Sequence, residues 1–173
     1  HDRIISLLNN GYGDIAVSGL TITEDRKEIV DFSIPTISGL NEILISGPSS
    51  SMVRSRTDLA GRSVTVHPNS SFRQGLNMLS DSLVREGKEA IRIETLAEYL
   101  ETEDALQMVS AGIFDHTVVE ENVAQHWSSV LDSLIIHDDI VINSNTSYAW
   151  AFRKDSPQLK AKVNQFIEEN RKG

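Results

Sequence analysis

Asn10-Gly11-Tyr12-Gly13-Asp14-Ile15-Ala16-Val17-Ser18-Gly19 and the later Ala111-Gly112-Ile113-Phe114-Asp115-His116-Thr117-Val118-Val119-Glu120 share one pattern. Each gives a glycine helix stop, Gly-x-x-Asp, a short apolar strand, and a small or polar residue at its end. Each reads as a helix returning into a parallel strand. If the two stretches are equivalent units in two lobes, the carboxyl ends of their strands, at Ser18-Gly19 and Val119-Glu120, are where open α/β sheets bind ligands. The alternative is that Gly-x-x-Asp is only common turn chemistry.

Upstream, Ile4, Ile5, Leu7 and Leu8 predict the end of a helix stopped at Gly11. Downstream, Gly19 to Thr23 predicts a turn, and Thr23 with Glu24 and Asp25 predicts an N-cap and the acidic first turn of a short helix. Phe32-Ser33-Ile34-Pro35 ends that segment, Asn41 to Ser46 predicts a strand, and Gly47 to Ser51 a loop or hinge. From Arg62 the order strand, helix, strand, helix, strand predicts a parallel sheet with crossover helices. The strands are expected at Ser63–His67, Ala90–Ile93 and His116–Val119. The clearest helix places Phe72, Leu76, Leu79 and Leu83 on one face and stops at Gly87. Further helices are expected at Glu103–Ala111 and Glu120–Trp127, and strands at Leu134–Ile136 and Tyr148–Arg153. A last helix is capped by Ser156, with Pro157 at its first position and Leu159, Val163, Phe166 and Ile167 on one face.

The 173 residues carry 16 Lys and Arg against 25 Asp and Glu, a net charge of −9, with the cations dispersed. Nucleic acid and anionic membrane are poor partners for such a surface. Absence of cysteine removes disulfides, thiolate metal sites and cysteine nucleophiles, and leaves the compartment open. His1, His67, His116, His126 and His137 show no metal-ligand spacing, and neither a Gly-x-Ser-x-Gly elbow nor a phosphate loop occurs. No cofactor and no catalysis by this chain are expected. The start at His1 without a signal-peptide pattern, and the end at Gly173 directly after a helical pattern, predict a piece of a longer precursor.

Gly11-x-x-Asp14 through Ser18-Gly19-Leu20-Thr21-Ile22-Thr23-Glu24-Asp25-Arg26, closing with Val30-Asp31-Phe32-Ser33-x-Pro35, resembles the signature of amino-acid-type periplasmic solute-binding proteins. Leu59-Ala60-Gly61-Arg62-Ser63-Val64 with Ser70-Ser71 resembles the start of that family's second lobe. Gly112 to Glu120 resembles its ligand-facing strand, and Ala149 to Ser156 its return strand and final helix. Val66-His67-Pro68-Asn69-Ser70-Ser71, Asp115-x-Thr117-Val118 and Tyr148-Ala149-Trp150-Ala151 are more similar to the solute-binding-like module of membrane-bound lytic transglycosylases of the F type. In those enzymes a separate catalytic domain follows, and Arg171-Lys172-Gly173 falls about where the join would come.

The resemblance implies an α/β, two-lobe, type II periplasmic-binding-protein-like fold. The first lobe would be residues 1–42 plus 147–173, lacking the family's opening strand, helix and strand, and the second 43–146. Hinge strands near 41–47 and 143–149 would permit closure on a small solute such as an amino acid or peptide fragment. It also implies a periplasmic or other extracytoplasmic setting and a signal peptide in the precursor. The partner would be an ABC permease or, in the alternative reading, a C-terminal catalytic domain of a peptidoglycan-cleaving enzyme whose muropeptides the module senses. A sensor input domain is a third, weaker alternative.

By the same resemblance, Arg26 is the fork that grips a ligand carboxylate, with Ser18, Gly19 and Thr21 beside it. The alternative is a solvated or salt-bridged helix residue. Ser70 and Ser71 open the Phe72 helix, where free N–H groups suit an anion; simple N-capping also explains them. Glu120 would face a ligand ammonium, where the family has Asp, or it is only a first-turn acid.

Overall fold

The computed structural model describes residues 2–170; His1 and the expected join at Arg171-Lys172-Gly173 lie outside the described residues. In chain order the elements are α1 (Asp2–Asn9), β1 (Ile15–Thr21), α2 (Glu24–Ile29), β2 (Asp31–Phe32), β3 (Ile37–Ser46), a 3-10 turn (Arg56–Leu59), β4 (Ser63–Val66) and α3 (Ser71–Arg85). β5 (Arg92–Thr95), α4 (Thr102–Ser110), β6 (His116–Glu120), α5 (Glu121–Ser128), β7 (Ile135–Phe152) and α6 (Pro157–Asn170) follow. The chain divides into two compact units: unit 1 takes the residues up to Gly39 and those from Asn145 on, and unit 2 is Leu40–Ser144. Both boundaries fall inside strands, and at the second Asn145 holds φ 55, a left-handed conformation that asparagine tolerates better than most residues.

Unit 1 is built on β7. β1 pairs antiparallel with it at Ile15↔Phe152, Ala16↔Ala151, Leu20↔Ala149 and Thr21↔Tyr148, and β2 pairs at Asp31↔Phe152 and Phe32↔Ala151. Ile5 and Leu8 of α1 close over Ala16, Leu20, Val30, Phe32, Ala149 and Ala151, while Leu7 faces solvent. A second cluster joins Phe152 to Val163 and Ile167 of α6. Phe166, expected on the same buried face, is 53 % exposed and instead stacks on Trp150 at 6.3 Å between ring centroids. Thr23 caps α2 as expected, its side chain accepting from the Arg26 N–H.

In unit 2, β3 and β6 form an antiparallel ladder of five pairs, from Glu42↔Glu120 through Leu44↔Val118 to Ser46↔His116. β4 and β5 pair in parallel from Ser63↔Arg92 to Val66↔Thr95, with α3 as their crossover. Phe72, Leu76 and Leu83 of α3 are buried with Leu44, Leu59, Val64, Val66, Val118 and Ile140. Each such side chain is worth about 1.5–3 kcal/mol of transfer free energy. A second cluster seats Leu106 and Val109 of α4 and Ala124 of α5 on Ile43, Ile45 and Val119.

Four expectations are corrected. The strand after Asp14 does not end at Val17; it continues through the expected turn to Thr21, with a register break between Ala16 and Leu20. The strand expected at Ala90–Ile93 lies two residues later, at Arg92–Thr95, because Arg92 is the residue that pairs with Ser63. The strands expected at Leu134–Ile136 and Tyr148–Arg153 are the ends of the single 18-residue β7. The third strand of the expected parallel series, β6, pairs antiparallel with β3; β1 likewise runs antiparallel to β7, so neither Gly-x-x-Asp strand enters a parallel pair. Between β6 and β4 the Thr117 hydroxyl donates to the Thr65 carbonyl at 2.8 Å.

Candidate functional site

Each unit presents one group of the residues singled out from the sequence, and each group sits at the end of a Gly-x-x-Asp strand. In unit 1 the register break in β1 puts Val17, Ser18 and Gly19 out of regular pairing. A bulge of this kind re-aims side chains. Gly19 has φ 59, and a Cβ placed there would stand 3.7 Å from the Tyr148 ring. Ser18 Oγ is the buried side-chain polar atom left without a hydrogen-bond partner among the described residues. Such an atom costs about 1–3 kcal/mol relative to a satisfied one.

Arg26 is not a solvated helix residue: it is 7 % exposed, and its Nη1 donates to the Thr21 carbonyl at 2.9 Å. Thr21 is itself buried. Unit 1 thus brings Thr21 and Arg26 into contact, on the strand that carries Ser18 and Gly19. A guanidinium holds its five donors in a fixed fork, so the group is made of N–H and O–H donors, the chemistry that suits an anion.

In unit 2, Ser70 is an N-cap. Its side chain accepts from the Arg73 N–H at 3.3 Å and its hydroxyl donates to the His67 carbonyl at 2.8 Å. The Ser71 hydroxyl donates to Glu42 Oε1 at 2.6 Å. Asn143 Nδ2 donates to Glu42 Oε2 and, at 3.0 Å, to the Ser71 carbonyl. The anion beside the start of α3 is therefore a carboxylate of this chain, Glu42, which is fully buried. Gly75, one turn along α3, lacks the Cβ that would collide with the Asn143 amide.

Glu120 ends β6 directly opposite Glu42 and is 8 % exposed. It occupies the N-cap position of α5, yet its side chain makes no capping hydrogen bond. Residues directly opposite on antiparallel strands share a face with Cβ atoms about 4.5–5.5 Å apart, and like charges there repel. Asn41 adds a hydrogen bond to Glu121 Oε2 at 3.3 Å. Unit 2 therefore offers a buried acidic pair, which is chemically suited to a cation. Glu42 and Asn143 were not singled out from the sequence. The signal for Glu42 was a lone acid in the run Leu40-Asn41-Glu42-Ile43-Leu44-Ile45.

Among the described residues no group of His, Cys, Asp or Glu is arranged to hold a metal ion, and no helix is long and apolar enough to cross a membrane.

The whole chain, residues 1–173, matches the model of the bacterial extracellular solute-binding proteins, family 3, and the protein belongs to that family. It is 26 % identical over 169 residues to a membrane-bound lytic murein transglycosylase F of Desulfosudis oleivorans, covering 97 % of this chain and 35 % of that protein. It is 29 % identical over 171 residues to an arginine-binding extracellular protein of Bacillus subtilis, covering 97 % of this chain and 62 % of the relative. The chain thus spans between a third and two thirds of the length of these curated relatives. An ancestral arginine-binding protein solved with arginine superposes with a TM-score of 0.81 at 26 % identity, covering 97 % of this chain and 70 % of that one. The mixed α/β fold is that of amino-acid-binding proteins of this type.

Proposed function

We propose that this chain is the ligand-binding module of an extracytoplasmic solute-binding protein and takes a small amino-acid-type ligand. Arg26, with Ser18, Gly19 and Thr21, would receive the ligand carboxylate, and Glu120 its ammonium. Ser70 and Ser71 would act through the start of α3, Ser71 being engaged by Glu42. The observation that carries this reading is the buried, unpartnered Ser18 hydroxyl on the strand that ends at Thr21, where Arg26 donates. A ligand oxygen would supply the missing partner. Two lobes divided near residues 42 and 147 would hold the two groups, with hinge segments at 41–47 and 143–149. Relatives named for arginine binding put arginine first among ligands to try. Work as the receptor of an ABC permease is the setting we favour, and a neighbour described as the substrate-binding protein of an amino acid ABC transporter supports it.

The second reading is a regulatory module beside a lytic transglycosylase domain, sensing muropeptides. It draws on the transglycosylase F relative, of which this chain matches only 35 %. Calorimetry of the intact protein against amino acids and muropeptides tests both. Tightest binding of an amino acid supports the receptor, and tightest binding of a muropeptide the sensor. Arg26→Lys should weaken every carboxylate ligand by about tenfold or more, because a point charge replaces a bidentate fork. Unchanged affinities in Arg26→Lys would remove Arg26 from the site.

A further inference from the structure

The β3–β6 ladder carries Glu42 and Glu120 at one end, and at the other its register pairs Ser46 with His116. Ser46 Oγ lies 2.9 Å from His116 Nδ1 and 2.8 Å from His137 Nε2 of β7. Three strands of unit 2 therefore meet at one hydroxyl. Ser46 and His116 are each 2 % exposed, so water does not readily replace a lost partner.

A serine hydroxyl has one proton to give and two lone pairs. With both imidazoles neutral, one ring accepts that proton and the other donates its N–H to the oxygen, which satisfies all three groups. A proton added to the accepting ring turns it into a second donor and displaces the hydroxyl proton from the relay. It also places a positive charge in a buried site. Asp115, preceding β6, favours that charge on His116, whereas Arg62, preceding β4, and His137 oppose it; Asp139 favours it on His137. Burial outweighs these neighbours, holding His137 below its ordinary value and pushing His116 down to about 4 from 6.5.

We propose that the Ser46–His116–His137 junction is an acid-operated latch, closed while both rings are neutral and opened when a proton loads the ring that accepts from Ser46, so that the ladder loosens from its Ser46 end. The sign follows from His116: its folded value lies below the ordinary one, so its contribution is complete above about pH 6.5 and is lost as pH falls toward 4. The last hydrogen bond beside the latch runs from the Gly47 N–H to the Asp115 carbonyl at 2.9 Å.

Native-state hydrogen exchange on the intact protein, corrected for intrinsic rates, reads it directly. Between pH 7 and pH 5 the Gly47 amide should lose about tenfold more protection than Leu44 in the middle of β3. Ser46→Ala should erase that difference, and exchange of the exposed His126 for Gln should preserve it. Parallel loss at Gly47 and Leu44, no loss at either, or an undiminished difference in Ser46→Ala would each overturn the latch. If Ser46→Ala does not fold, the wild-type comparison of the two amides still decides.

Discussion

The two Gly-x-x-Asp strands begin alike and end differently. At Gly11, φ is 82 and the Gly11 and Tyr12 N–H groups bond the Leu8 and Leu7 carbonyls at 3.1 and 3.0 Å. At Gly112, φ is 74 and the Gly112 and Ile113 N–H groups bond the Val109 and Met108 carbonyls at 3.0 and 2.9 Å. Both are Schellman caps of the same hydrogen-bond pattern. Beyond the strand start they part. β1 breaks register and leaves Ser18 Oγ without a partner, whereas β6 keeps all five rungs and brings Glu120 against Glu42. A shared entry therefore fixes where a strand starts, and the regularity of its pairing decides what its end presents. The broken strand presents donors and the regular one presents acceptors.

The strongest way to break this comparison is Glu120→Gln. If the carboxylate pairs with a desolvated ligand ammonium, affinity should fall by about 2–5 kcal/mol. An N-acetylated version of the same ligand should bind the wild type weakly and lose little more in the variant. Calorimetry with both ligands and both proteins closes a thermodynamic cycle, and a coupling near zero would return Glu120 to the role of a helix-terminus acid.

Next in size are Gly11→Ala and Gly112→Ala. A left-handed alanine costs about 1–2 kcal/mol. A Cβ at Gly11 meets nothing within 4 Å and one at Gly112 meets only Ser49 Oγ at 3.6 Å, so the strain should be nearly the same in both. Denaturant melts giving unequal losses, beyond about 0.5 kcal/mol, would show that the two caps are not equivalent.

Smallest is Ser18→Ala. Removing a buried hydroxyl that bonds to nothing should leave the ligand-free protein unchanged or stabilise it by up to about 1 kcal/mol, while weakening ligand binding by about 0.5–1.5 kcal/mol. A thermal melt that drops without ligand would mean the hydroxyl is already satisfied.

Much of this was readable from residue order because it rests on local chemistry. Gly11, Gly87 and Gly112 stop helices as their sequence contexts require, Thr23 and Ser70 cap, and the Phe72-Leu76-Leu83 face is buried. What was not readable depends on partners far along the chain. Leu134–Ile136 and Tyr148–Arg153 read as two separate strands, yet one strand runs through both because β7 continues across the polar stretch Asn143 to Ser147, with the Ile22 N–H bonded to the Ser147 carbonyl at 2.9 Å. Glu42 reads as one residue of a strand, and only the register shows it facing Glu120 and holding Ser71. Ser46, His116 and His137 are scattered in sequence, and nothing in their spacing says that three strands bring them to one hydroxyl.

Unit 1 is assembled from both ends of the chain, and its core sets Ile5, Leu8, Ala16 and Leu20 against Ala149 and Ala151. That arrangement imposes an order on biosynthesis. Leu40–Ser144 leaves the ribosome as one uninterrupted stretch and can close on itself once its last strand residues are out. The first part of unit 1 must wait for the roughly one hundred residues between Gly39 and Asn145, which at about 5–20 residues per second is a delay of about 5–20 s. Throughout that interval Ile5, Leu8 and Leu20 have no Ala149 or Ala151 to cover them. The nascent chain therefore leaves these three apolar side chains open to a chaperone while Leu40–Ser144 is being completed.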